Sequence, residues 1–428
     1  MILKLFPLKT ASEAESAVLR HNLRVHIGDG SIYAFALSLI AVQTIIPVLL
    51  QQLGAPTWEI GAVPVLWTLG LNLPQGIYMH VVTPKTTPRY RMLLFGTGHR
   101  FFFFLIGVVT VLFGGGPYAR YAVPGVLVCL MFSSILGSLG GLQWFHLYAA
   151  TTPVYLRGRL TAFRQLLGSL IGVLGGSVVS LVLGVVAFPL NFSLLFFIAS
   201  ALMMVSIYIL SHIVLPESVQ TIPQETSKID LIAEGKRIFS ADKNFKSYLV
   251  ADALLLMSMT ASAFYAVHGL EKFSLDISYA GSFTVIVMAS TVIGNIFFGI
   301  LADHLGNKVN LLAMALSSAL ASLCAVLAGD VLTYGLVFFF MAASIALQGI
   351  SRLSFIAELC SESERPVYIA LANTITAPTI VVGILFGALV PVVGYDWILV
   401  AAAVLGLLSF AILWFRVAEP RRIARKNR

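Results

Sequence analysis

Long apolar runs separated by short polar breaks recur along the whole chain. A helix that crosses a hydrocarbon core needs about 20 predominantly apolar residues. On that measure the pattern predicts twelve spans, numbered here in chain order: about 30–53, 58–81, 92–113, 121–149, 160–187, 190–214, 246–268, 280–302, 309–328, 331–359, 367–391 and 395–416. Spans 4 and 10 are long enough to tilt within a bilayer or to project beyond it. The longest polar break, 215–245, contains Pro216 and Pro223. It divides the chain into a six-span bundle at 30–214 and a second at 246–416. Within the break, Ile229, Leu231, Ile232, Ile238 and Phe239 interleave with Lys and Glu, the pattern of a short amphipathic helix on a membrane surface. Residues 11–27 are a second candidate of that kind. An N-terminal segment (1–29), which has no long apolar core of the signal-peptide type, and a basic tail (417–428) complete the organisation. The expected fold is all-α and polytopic, with twelve transmembrane helices in two pseudo-symmetric six-helix bundles.

The two halves resemble each other in detail. Gly141-Leu-Gln143 closes span 4, and Ala346-Leu-Gln348 lies at the same place in span 10. Arg157-Gly-Arg-Leu-Thr-Ala-Phe163 leads into span 5, and Arg365-Pro-Val-Tyr-Ile-Ala-Leu371 leads into span 11. Each pair is separated by nearly half the chain. Internal symmetry of this weak kind is what the repeats of transporters leave in sequence.

Composition agrees with a membrane protein. The 428 residues are 58% hydrophobic and 11% charged, with a mean hydropathy of +0.93, whereas globular chains carry about 25% charged residues. Lipid can solvate such a chain because a helix satisfies its own backbone hydrogen bonds. The net charge of +8 could suggest nucleic acid. The placement of the bases gives a better account. With both termini on one side, every Lys and Arg except Arg120 and Lys272 falls on that side, as expected for cytoplasmic segments. The opposite loops carry Glu59, Glu271, Asp276, Asp330 and Asp396; Trp58 and Trp397 suit the outer interface and Trp414 the inner one. The expected location is therefore the plasma (inner) membrane with cytoplasmic termini. Cys129, Cys324 and Cys360 are scattered and imply no disulfide framework.

One polar turn between apolar runs is more specific. Gly299-Ile-Leu-Ala-Asp-His-Leu-Gly-Asn-Lys308 reads G-x-L-A-D-x-x-G-x-K. It resembles the cytoplasmic-loop motif of the major facilitator superfamily of secondary transporters. Gly299 would permit close helix approach, Gly306 a left-handed turn, and Lys308 would start span 9. Asp303 ends a helix, where a negative charge opposes the macrodipole, so it needs a partner. The resemblance implies that Asp303 is a gate residue, with Arg157 or Arg159 and the start of span 5 as partners. A simple topogenic turn is the plainer alternative, and His304 and Asn307 stand where the family usually has Arg. The first-half counterpart, Gly76-Ile-Tyr-Met-His-Val-Val-Thr-Pro-Lys85, has no Asp. Arg365 therefore lacks an acidic partner across the pseudo-twofold, Glu362 or Glu364 could serve locally, and the gate is expected to be asymmetric. Span 5 has Gly172-Val-Leu-Gly-Gly176 without the Pro and the spacing of the family's drug–proton antiporters, which argues against that subgroup.

Ionisable groups inside spans are functional candidates by default, because charge in hydrocarbon is costly. Asp252 lies in span 7, Arg352 and Glu358 in span 10, and Arg164 just inside span 5. Snorkelling or gate pairing would also account for them. Asp252, Glu358 and Arg352 are candidate coupling residues, with His146; His146 and His268 could relay protons or simply pack. Asp29 precedes span 1 and reads as a cap. Gln43, Asn72, Gln75, Gln143, Asn295, Gln348 and Asn373 could outline a cavity or bond between helices. In the superfamily, spans 1, 4, 7 and 10 line the path, which selects Gln43, Gln143, His146 and Gln348.

The sequence contains no G-x-x-x-x-G-K-[ST] loop and no zinc-type spacing, so neither cofactor nor metal is expected. Segments between spans reach only about 30 residues, too few for an independent domain. The expectation is a secondary active transporter of a small neutral or amphiphilic solute, working by alternating access, proton-coupled and monomeric. Its expected partners are lipid, a small-molecule substrate and protons, without nucleic acid. Efflux is preferred because the cavity reads as apolar and aromatic; uptake symport is the alternative. A membrane enzyme or a transporter-derived sensor is more distant. The first would need clustered catalytic groups and the second an appended output module.

Overall fold

The computed structural model describes residues 13–81, 86–215, 234–235, 237–239, 242–361 and 364–420; for 13–14, 75–81, 296, 299–305 and 366 it describes the backbone alone. Every regular element among them is a helix. Span 1 is made of α1 (Glu13–Leu39) and α2 (Ile45–Gln52). Spans 2 to 6 are α3 (Thr57–Val81), α4 (Pro88–Phe113), α5 (Ala119–Thr151), α6 (Val154–Val185) and α7 (Leu190–Leu210). Span 7 is α8 (Lys243–Met259) with α9 (Ser262–Lys272). Spans 8 to 10 are α10 (Tyr279–Leu305), α11 (Asn307–Leu327) and α12 (Val331–Leu359). Span 11 is α13 (Arg365–Thr376), a 3-10 turn (Ala377–Val381) and α14 (Val382–Val393); span 12 is α15 (Tyr395–Phe415). Nine stretches among the described residues are long and apolar enough to cross a membrane. The helices at 13–52, 57–81 and 279–305 stand at the other three predicted positions, consistent with twelve spans.

The interruptions have local causes. Pro47 lacks an N–H and its ring would clash with the carbonyl of residue 43, so α1 cannot run on into α2. In span 7 the Thr260 hydroxyl donates back to Met257 O at 2.7 Å, an alternative to helix continuation. Pro378 sits in the 3-10 turn of span 11.

The start of span 1 differs from expectation. Of the expected surface helix at 11–27, the described residues 13–27 are not separate: α1 runs unbroken from Glu13. Leu19 and Leu23 pack with Tyr148, Leu156 and Leu160, and Val25 with Met92, Leu147, Leu210 and Ile213. Asn22 closes a two-way bond with the backbone of Val214, at 2.9 Å each way. Charges at Glu13, Glu15, Arg20 and Arg24 lower the hydropathy of this stretch, but packing against neighbouring helices sets its structure. The amphipathic segment expected at 229–239 lies mostly outside the described residues; within it, Ile238 is buried in a cluster with Phe245, Tyr248 and Leu371.

Contacts group the chain into two units: residues 1–40 with 70–226, and residues 41–69 with 227–428. In the first, α4 packs mainly on α5 and α7, and α1 on α6 and α7. In the second, α11 packs mainly on α12 and α15, and α8 on α15. Thus span 3 lies against spans 4 and 6, and span 9 against spans 10 and 12; span 1 lies against span 6, and span 7 against span 12. The repeat glimpsed in sequence is repeated in packing. Within the second unit, α3 and α14 approach backbone to backbone: a Cβ on Gly61 would overlap the Gly383 carbonyl, and one on Gly387 would overlap Thr57 O. Small residues of this kind bring membrane helices close enough for dispersion and polar contacts to act.

Candidate functional site

The first unit holds a half-open cavity of about 220 Å³. Asp29 and Tyr33 of α1, His99 and Arg100 of α4, Trp144 of α5 and Arg164 of α6 line it. Arg164 Nη2 donates to Asp29 Oδ2 at 3.1 Å, and Ser206 Oγ of α7 donates to Asp29 Oδ1 at 2.7 Å. Arg100 is held by neutral acceptors: Nε donates to Met203 O and Nη1 to Gly96 O, both at 2.7 Å, and Nη2 to Ser206 Oγ at 3.4 Å. Each guanidinium also lies over an aromatic face, Arg164 on Trp144 at 4.7 Å and Arg100 on Tyr33 at 5.2 Å. Gly30 makes room for this, since a Cβ there would overlap Arg164 Nε.

His99 adds a fixed polar wall. Its Nδ1 faces the Ser133 carbonyl at 2.8 Å, so Nδ1 carries the proton. In the neutral ring, Nε2 then accepts from Tyr33 OH at 2.9 Å. The result is a buried cluster drawn from five helices, in which two guanidinium groups face one carboxylate.

The second unit carries a simpler pair. Arg352 of α12 grips Asp252 of α8 through Nε at 3.0 and 3.2 Å to the two carboxylate oxygens and through Nη2 at 2.8 Å. Its Nη1 donates to Asn373 Oδ1 at 3.0 Å and Nη2 to Thr376 Oγ1 at 3.3 Å. One charge meets one charge, and each nitrogen of the guanidinium has an acceptor.

Sequence reasoning singled out Asp252, Arg352 and Asn373, and the structure joins them. It places the others variously. Gln143 accepts from Arg91 Nε at 3.2 Å beside the cavity, and His146 is half-buried on the same helix; neither is among the described residues that line it. Gln43, in the break between α1 and α2, and Gln348, on α12, are half-buried in the second unit. Glu358 accepts from Asn307 Nδ2 at 3.0 Å. His268 lies against Tyr334 OH at 3.0 Å and Asp396 at 3.4 Å.

In the polar turn, Gly306 has φ +92°, the conformation expected to close it, and Lys308 Nζ donates to Trp414 O at 3.4 Å. Gly299 and Asp303 fall in the last turns of α10, and the side chain of Asp303 lies outside the described residues. So do those of Gln75 and of the first-half counterpart, 76–85. Arg157 donates to Thr152 O at 2.9 Å and Ala149 O at 2.5 Å, satisfying carbonyls at the end of α5. Arg159 is exposed and Arg365 half-buried at the start of α13. Glu364 pairs with Arg237 at 2.7 Å, and this bond, with one from Ser361, holds its carboxyl below the usual carboxylate range.

One expectation needs correction. Asp29 is not a cap: it lies well inside α1 and is tied to Arg164 and Ser206. With Arg100 and Arg164 it converges on one cavity. A usable signal was present, since Arg100 and Arg164 both fall inside predicted spans rather than between them. Their pairing with Asp29 joins distant parts of the chain and has no local trace.

The comparisons with known proteins agree with this architecture. The family model described as Major Facilitator Superfamily matches residues 253–428. No curated protein matches the chain. Among solved structures, the nucleoside transporter NupG is similar at TM-score 0.64 and 16% identity, over 92% of this chain and 100% of that one. A D-xylose-proton symporter is similar at TM-score 0.67 and 15% identity, over 96% and 99%. A POT family transporter in complex with a thioalcohol-conjugated peptide is similar at 0.69 and 11%, over 92% and 94%. The fold is the one these multi-pass transporters share, and residues 253–428 match the Major Facilitator Superfamily model, with no subgroup resolved.

Proposed function

We propose that this protein moves a small solute across the membrane by alternating access, as a monomer driven by a proton gradient, and that Asp29 is the coupling group. The observation that carries this reading is the Asp29–Arg164–Ser206 arrangement at the wall of the cavity. An ionised Asp29 occupies Arg164. A proton on Asp29 discharges the pair and leaves the guanidinium free to engage a solute, so proton and solute occupancy become linked. The similarity to a D-xylose-proton symporter supports proton coupling. Uptake is the favoured direction. Efflux was expected from an apolar and aromatic cavity; here Met92, Trp144, Ile207 and Leu210 share the lining with the charges of Asp29, Arg100 and Arg164. The distribution of Lys and Arg supports cytoplasmic termini in a plasma (inner) membrane. Asp303 as a gate residue, with Arg157 or Arg159, rests on the family resemblance of the 299–308 turn.

The test is flux into proteoliposomes under an outside-acid pH gradient, with labelled nucleosides, sugars, dipeptides and small carboxylates as probes. The wild type should accumulate one of these classes. Asp29→Asn should lose gradient-driven accumulation yet still exchange solute across the membrane. Accumulation by Asp29→Asn equal to wild type would remove Asp29 from the coupling role.

A further inference from the structure

We infer that the cavity of the first unit receives a small organic monoanion of the carboxylate class, with Arg164 as its receptor and Arg100 as the fixed charge behind it. This rests on the transport reading above and names the class of solute for that site.

Charge is the first ground. Among the described residues lining the cavity, Arg100 and Arg164 face the single carboxylate of Asp29, and the hydrogen bonds of His99 suit its neutral ring. One positive charge is in excess inside a buried site. Arg100 supplies it, because its contacts are carbonyl and hydroxyl oxygens that leave its charge uncompensated. Burying a charge is costly unless it is paired. An anion entering the cavity would complete the pairing, whereas a neutral solute would leave the excess in place.

Unsatisfied donors are the second ground. Arg164 Nη1 and Trp144 Nε1 are buried, and among the described residues neither has an acceptor. Both groups can only donate, so what is missing from this corner is an acceptor. The second unit provides the contrast. Arg352 meets a carboxylate, an amide oxygen and a hydroxyl, its donors are matched, and its charge is cancelled by Asp252.

Size and valence narrow the class. At about 220 Å³ the cavity is smaller than the roughly 300–1,000 Å³ of sites for drug-sized ligands. With Asp29 ionised, the single excess charge matches a monoanion, and a dianion would replace an uncompensated cation with an uncompensated anion. The planar fork of a guanidinium suits a carboxylate. Protonation of Asp29 would also release Nη2 of Arg164, so one proton and one carboxylate would load together.

Binding can be read without a membrane gradient, by calorimetry on the purified full-length protein. The probes are benzoate and lactate, each against its neutral amide, and methyl phosphate as the phosphate-ester arm. At least one carboxylate should bind saturably, with its amide and the phosphate ester weaker by about tenfold or more, the scale of one charged hydrogen bond. Arg164→Gln should lose that binding, while Arg24→Gln, an exposed arginine outside the cavity, should keep it. Should Arg164→Gln fail to fold, Asp29→Asn decides the matter. It frees Arg164 and raises the excess charge, so carboxylate binding should tighten, an effect that a purely structural role for the arginines would not produce. Equal binding of acid and amide, tighter binding of methyl phosphate, or no saturable carboxylate binding would overturn the inference. Proton-driven flux of a neutral solute would overturn it while leaving the transport reading standing. Carboxylate binding without proton-linked flux would do the reverse.

Discussion

At Asp29 a buried ion pair and the proposed coupling role fall on one residue. Its two oxygens are divided between Arg164 and Ser206, and Arg164 reaches it only because Gly30 leaves space beneath the guanidinium. Gly30→Ala should displace Arg164 and break the pair without altering either charged residue. We expect this variant to reproduce the coupling defect of Asp29→Asn in the same flux measurement; normal gradient-driven accumulation would show that the pair tolerates displacement. Asp252 calls for a different expectation. Its side chain is 1% exposed and Arg352 is matched on every side, so the pair reads as an anchor within the second unit. Removing one partner of a buried pair costs about 3–5 kcal/mol. Asp252→Asn should lower the thermal unfolding midpoint sharply, and Asp252→Leu with Arg352→Met should recover much of the loss. A double variant as unstable as the single one would contradict that reading. Asp29 precedes a predicted apolar run and reads as a cap, whereas Asp252 lies inside one and was legible as an embedded charge, without its partner.

At the level of elements, helix ends are where chemistry and sequence correspond most directly. The start of α12 is a capping box: Asp330 accepts from Thr333 N–H at 2.9 Å, and the Thr333 hydroxyl lies 3.4 Å from Asp330 N. The bond from the Thr333 backbone holds the Asp330 carboxyl below its usual value. A carboxyl whose folded pKa is depressed stabilises the fold above its unfolded value of about 3.9 and loses that contribution as pH falls through the folded value. Asp330→Ala should therefore lower the unfolding midpoint by a constant amount across neutral pH. The gap to wild type should close in acid, below about pH 4. A gap that widened on acidification would exclude the cap as its source. The span pattern was legible because apolar length is a property of contiguous sequence. The true start of α1 was not, because Glu13, Arg20 and Arg24 break the hydropathy of a stretch whose other face is buried by α5, α6 and α7. The interruption at Pro47 was in principle readable from proline chemistry, but a window of about 20 residues averages over it.

At the scale of the whole molecule, residues 41–69 belong with 227–428 by their contacts, although they lie early in the chain. Thr44 and Thr284 hydroxyls meet at 2.6 Å, Gln51 donates to Glu271 at 2.6 Å, and Thr57 donates to Gly387 O at 2.5 Å. Val65 shares an apolar cluster with Leu256 and Ile380, and Gly61 lies against the Gly383 backbone. A fragment of residues 227–428 would contain six predicted spans yet lose all of these contacts. For a unit of 150–250 residues, each kcal/mol moves the unfolding midpoint by roughly 2–4 °C. Losing even about 2 kcal/mol of packing should thus lower it by roughly 4–8 °C. The fragment 227–428 should be measurably less stable alone than when produced together with 1–226. Replacing Gly61 by Val in the 1–226 partner should abolish that rescue, because a side chain there cannot pass the Gly383 carbonyl. If 227–428 alone unfolds at the same temperature as the pair, these contacts contribute little to its stability. If Gly61→Val still rescues, the close approach of α3 and α14 is not what holds 41–69 in place. The expected result would mean that the early residues of span 2 are held by α14, which is encoded more than half the chain away.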